Sequence, residues 1–100
     1  AEKVYKMRLM RDDEDKMNKS VSDVNGEFLL VSQFTLYADT AGGNRPSFIH
    51  AARPEMALPI YEKFVQTIKD LGGRVQIGSF GNYMEIETIL DGPVTIVVEG

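Results

Sequence analysis

Residues 28–37 form the run FLLVSQFTLY. It is β-rich and nearly all apolar, which suits a central strand buried on both faces. Ser32 and Gln33 interrupt it side by side, and adjacent strand residues point to opposite faces. A buried polar group left without a hydrogen-bond partner costs about 1–3 kcal/mol, so this pair reads either as a structural network or as a site. Directly downstream, ADTAGGNRPS (38–47) is a loop, with two glycines, Asn44 and Pro46.

The next segment is the clearest helix. Pro54 fits a first helical turn and Glu55 fits its dipole. Ala57, Ile60, Tyr61, Phe64, Ile68 and Leu71 make an apolar stripe at offsets of three and four, and Gly72-Gly73 ends it. Pro59 lies inside the pattern and predicts a later start or a kink. Strands are expected over 75–79, over 84–89, where Met84, Ile86 and Thr88 alternate with Glu85 and Glu87, and over 94–98. Asp91-Gly92-Pro93 links the last two. On the upstream side, Val4, Met7, Leu9 and Met10 predict a short helix over 1–11. DDEDKMNKS (12–20) reads as a charged, solvated connection, and Asn25-Gly26 as a turn. The expected class is α/β, carried by one domain over residues 1–100 with no internal repeat.

Composition narrows the function. Eleven Lys and Arg against fifteen Asp and Glu leave a net charge of −4, which argues against a protein that coats a nucleic-acid duplex but not against one that grips only an end. There is no cysteine, hence no disulfide framework, thiolate metal site or cysteine nucleophile. The single histidine, His50, reads more readily as a surface or capping residue than as a general base. No apolar run approaches the length of a membrane span, and AEKVYKMRLM has no long apolar core, so neither a span nor a signal peptide is expected and the cytoplasm is the expected location.

The remaining candidates have ordinary readings beside functional ones. DDED (12–15) lacks the glycine and the spacing of a calcium loop. Gly42-Gly43 is a weak phosphate-loop signal because no lysine follows in register. Arg45, the basic residue of that loop, could pair with a phosphate or with Asp39. Gly92-Pro93 is a turn signal first, and its peptide isomer is not written in the sequence. Thr95 has no histidine or terminal amine near it in sequence to activate it as a nucleophile. Chemistry would have to rest on backbone donors and shape, with the N–H groups at the end of the long strand as an oxyanion hole.

Those residues carry a resemblance. SQFTL (32–36) and GPVT (92–95), with RPSF (45–48) and FGNYM (80–84) between them, resemble the D-aminoacyl-tRNA deacylase family, and the match runs over residues 1–99. The resemblance implies mixed β-sheets with helices packed outside. It implies an ester hydrolase that removes D-amino acids, or glycine, from the 3′ end of tRNA. It implies a homodimer that uses no metal and no cofactor. Ser32, Gln33 and Phe34 would line the catalytic pocket, with nearby N–H groups holding the carbonyl oxygen as it gains charge. Thr95 would be a nucleophile, or would yield that role to the RNA's own 2′-hydroxyl, which is the reading favoured by the absence of an activating group. The Gly92-Pro93 peptide would be cis, reach into the other subunit's pocket and exclude L-amino acids. Phe80, Gly81 and Met84 would seat the terminal adenine.

Two departures accompany the match. Leu90 stands where the family motif has an asparagine that would brace the Gly-Pro loop. The family's opening strands, roughly 40 residues, have no counterpart here, so strands that should pair with them are expected to show bare edges. An aminoacyl-adenosine or tRNA 3′-end binding module without turnover, and a structural oligomer, are the rival readings.

Overall fold

The computed structural model describes residues 1–100. Helix α1 (Glu2–Lys6) leads into a short antiparallel hairpin, β1 (Met10–Arg11) and β2 (Met17–Lys19). A 3-10 turn (Ser22–Val24) precedes β3 (Glu27–Leu30), and a second 3-10 turn (Phe34–Tyr37) follows it. After the loop comes α2 (Pro54–Asp70), and then β4 (Arg74–Ile77), which pairs with β3 in parallel. No helix is long and apolar enough to cross a membrane.

The N-terminal helix is shorter than the sequence pattern predicts. It stops at Lys6, because Met7 has extended dihedrals, and Met10–Arg11 go to the hairpin. The charged connection is likewise structured. Asp12 organises it: its Oδ1 accepts the N–H groups of Glu14 and Lys16, both at 2.9 Å, and its Oδ2 accepts the Asn18 amide at 2.8 Å. An Asx-type turn of this kind competes well with solvent, and a solvated-loop reading misses it. These bonds, the Asn18 amide foremost and the Lys16 N–H next, hold the Asp12 carboxyl below the usual carboxylate range. A lowered native pKa means that the turn's stabilisation is complete above the unfolded value of about 3.9 and is lost as pH falls through the lower native one. NMR shifts of the Glu14 and Lys16 amides should therefore titrate together below the normal aspartate range, and Asp12→Ala should abolish that step.

At the turn before β3, Asn25 takes the left-handed conformation (φ 54°, ψ 33°), as its short polar side chain allows. Helix α2 runs through Pro59, and its N-cap carbonyl, Arg53, accepts the N–H groups of Met56 and Ala57. Its C-terminus is a Schellman cap. The Gly73 N–H reaches the Ile68 carbonyl at 2.9 Å, the Gly72 N–H reaches that of Lys69 at 3.0 Å, and Gly72 carries the positive φ of 100°.

The buried apolar residues are Phe28, Val65 and Ile68, and only Ile68 is wholly enclosed. The helical stripe is turned slightly from the predicted one: Val65 is buried, whereas Ile60 is 64% exposed. The long apolar run is also divided differently. Only its first three residues lie in β3, whose sole partner is β4, so β3 is not a central strand, and Leu29 stays exposed. The strand expected over 75–79 is shifted to 74–77. The strands expected over 84–89 and 94–98 do not form, because a strand needs a ladder neighbour and nothing in this chain offers one to them. The consequence is a radius of gyration of 15.8 Å, against about 13 Å for a compact chain of this length.

Candidate functional site

Two sequence segments meet past the carboxyl ends of β3 and β4, the side of a parallel sheet where ligands commonly bind. The ladder continues one step further, with the Gly78 N–H donating to the Leu30 carbonyl at 3.0 Å. The same carbonyl accepts the Tyr61 hydroxyl of α2 at 2.7 Å. A neutral bond of this kind contributes about 1 kcal/mol, and it pins the helix to the end of the sheet.

Beyond Leu30 the chain passes through half-buried Val31 and Ser32 into Gln33, which is extended (φ −151°, ψ 94°) and exposed. Gln33 turns its amide onto the Thr35 hydroxyl at 2.5 Å. The second 3-10 turn then begins, and its opening N–H groups, Phe34 and Thr35, have no acceptor within the turn. Phe34 meets Phe48 edge to face, with ring centroids 5.1 Å apart.

The segment after β4 curls against the same end. The Tyr61 and Phe80 rings lie 5.6 Å apart. Gly81 has φ 73°, a value that favours glycine, and the Asn82 amide holds the Ser79 hydroxyl at 2.6 Å. The Met84 sulfur accepts the Ser79 N–H at 3.3 Å and crosses directly over Gly78. A methyl group on Gly78 would lie 2.9 Å from that sulfur and 3.5 Å from the Val31 methyls. Glycine at 78 thus lets the thioether approach the β4 end of the backbone, across from Val31.

Ser32, Gln33, Phe34, Phe80, Gly81 and Met84 therefore belong to the segments at one end of one sheet. Gly92-Pro93 and Thr95 are not joined to them by backbone hydrogen bonds within a single chain. The Gly92-Pro93 peptide is cis, Gly92 has φ 120°, Thr95 is exposed, and no backbone hydrogen bond joins residues 91–100 to residues 32–34. Tyr61 was predicted only as part of the helical stripe. Its hydroxyl was the signal, since a tyrosine in an apolar stripe needs a polar partner. Two cavities of about 350 and 340 Å³ lie elsewhere. The first includes Phe28 and Arg74, at the opposite end of the sheet, and the second includes Ile60 and Phe64.

The family described as D-Tyr-tRNA(Tyr) deacylase matches residues 1–99. A protein of Geobacillus sp. (strain WCH70) named D-aminoacyl-tRNA deacylase is 52% identical over 99 residues, covering 99% of this chain and 65% of the relative. One of the same name from Chloroherpeton thalassium is 53% identical over 100 residues, covering 99% of this chain and 66% of the relative. A solved structure titled c-Myc DNA Unwinding Element Binding Protein superposes with a TM-score of 0.87 at 37% identity, covering 99% of this chain and 68% of that one. The chain thus spans about 65% of the length of the first of these curated relatives.

Proposed function

The chain belongs to the D-Tyr-tRNA(Tyr) deacylase family, and from that membership we propose that it hydrolyses the ester joining a D-amino acid to the 3′-terminal adenosine of tRNA. The observation that carries the reading is the convergence of Ser32–Phe34 and Phe80–Met84 at the carboxyl ends of two parallel strands. Water attacks the ester carbonyl. Charge builds on its oxygen, and the unsatisfied N–H groups that open the second 3-10 turn are suited to receive it. The tetrahedral species then expels the ribose oxygen, which takes up a proton, and the D-amino acid and tRNA leave. The exposed Gln33 and half-buried Ser32 line the approach, Phe80 and Met84 offer an apolar seat for adenine, and Gly81 lets the backbone turn beneath it. Thr95 carries no nucleophile's duty in this scheme. The RNA's 2′-hydroxyl assists instead.

The working unit in this reading is a homodimer. The Gly92-Pro93 turn of one copy enters the site of the other and presents backbone carbonyls where the side chain of an L-amino acid would lie, so that enantiomers are separated by exclusion. This suits a turn that makes no backbone hydrogen bond to Ser32–Phe34 of its own chain. Purified protein is expected to consume D-Tyr-tRNA and to spare L-Tyr-tRNA. Equal hydrolysis of both would refute exclusion, and hydrolysis of neither would refute the enzyme. One observation favours a second reading, a binder of aminoacyl-adenosine ends without turnover. Leu90 occupies the asparagine position of the motif and is 68% exposed, so it cannot brace the Gly92 turn through a side-chain hydrogen bond. Binding of a non-hydrolysable D-tyrosyl-adenosine amide without ester turnover would identify that case.

A further inference from the structure

The loop between the second 3-10 turn and α2 differs in charge from the rest of this acidic chain. From Phe28 to Pro54 the only acidic residue is Asp39, whereas Arg45 and Arg53 supply two guanidinium groups. Asp39 is already engaged. Its backbone forms a two-way bridge with Ser47 (2.7 and 2.9 Å), and its carboxylate accepts the Ala41 N–H at 3.0 Å. The chain's three ion pairs are Lys6–Glu2, Arg11–Asp15 and Lys16–Glu14, so neither loop arginine is neutralised. Both are exposed. The Asp39–Ser47 bridge closes residues 40–46 into a hairpin loop that carries Arg45, the Phe34–Phe48 ring contact fastens it to the Ser32–Phe34 segment, and Arg53 follows at the N-cap of α2.

Resting on the reading of the Ser32–Met84 end as the site of the tRNA 3′ terminus, we propose that the Arg45–Arg53 loop is a phosphate-binding arm for the RNA that leads into that site. Free guanidinium groups suit phosphate through paired N–H donors. The local excess of positive charge, anchored beside the site by an aromatic contact, explains how a chain of net charge −4 can hold a polyanion at one end only. Lys69 is an internal control. It lies near the far end of α2, about 24 Å along the helix from Arg53, which is well beyond the Debye length of about 8 Å at physiological salt.

Binding of an RNA minihelix with a single-stranded 3′ end, measured by fluorescence anisotropy across a salt series, tests the arm. A phosphate-free D-tyrosyl-adenosine amide tests the site separately. Arg45→Gln and Arg53→Gln are each expected to flatten the plot of log affinity against log salt by about 0.7–0.9, the double variant by about twice that, and Lys69→Gln by nothing. Amide binding should be the same in all of them. An unchanged slope in the double variant, an equal effect of Lys69→Gln, or no RNA binding by the unaltered chain would each overturn the arm. If the slope falls as expected but the amide does not bind, the arm stands and the assignment of the site fails.

Discussion

Ile68→Ala is expected to cost about 2–5 kcal/mol, the range for truncating a buried isoleucine to alanine. Ile68 is the one side chain with no exposure, and the other buried apolar residues are Phe28 and Val65. It also supports the turn from α2 into β4. A methyl group on Gly73 would lie 2.7 Å from the Ile68 Cγ2 and 3.2 Å from the Phe28 ring, so these groups pack directly against the capping backbone. Since small domains are stable by only about 5–15 kcal/mol, a large part of the total is at stake. The urea midpoint should fall by roughly 1–2.5 M at a slope near 2 kcal/mol per M. Ile68→Val should lose only about 0.5–1.5 kcal/mol. A loss below 1 kcal/mol for the alanine variant would show that the chain's stability is centred elsewhere.

Gly92→Ala should have the opposite profile, with activity lost and stability kept. Gly92 has φ 120°, which an L side chain rarely adopts, and its added methyl would stand 3.2 Å from the Val94 nitrogen. An L residue held there would carry strain on the order of 1–3 kcal/mol, so the exposed turn relaxes to another shape instead of keeping it. Residues 91–100 contribute no helix or strand, so the denaturation midpoint should move little. D-Tyr-tRNA hydrolysis should fall at least tenfold, since even about 1.4 kcal/mol of misplacement at a positioning element is a factor of ten. Full activity with an unchanged enantiomer ratio would remove this turn from the mechanism.

The legibility of the sequence followed the range of the forces involved. Helix α2 was readable because propensity, apolar period and the Gly72-Gly73 stop are all local and agree. The polar break at Ser32-Gln33 marked the end of a strand rather than its middle, and the candidate site lies just past it. The Asp12 turn was missed because four acidic residues in a row look solvated, while the fold depends on which one points inward to the backbone. The segments 84–89 and 94–98 have strand composition, yet a strand is a relation between two segments. Ile89 is 97% exposed and Val97 82% exposed because no neighbour is available within the chain. The arm's character was hidden for a related reason: overall charge averages away a stretch with a single acidic residue.

Every rung of the β3–β4 ladder joins residues 47 positions apart, from Glu27 with Arg74 to Leu30 with Ile77. Closing so long a segment must be paid in chain entropy before any of its contacts gives a return, so non-local pairings of this kind form slowly. Helix α2 and the Asp12 hairpin depend on neighbours a few positions away and can form earlier. The candidate site at the carboxyl ends of these strands therefore assembles last during folding, and it is the first feature lost when they part.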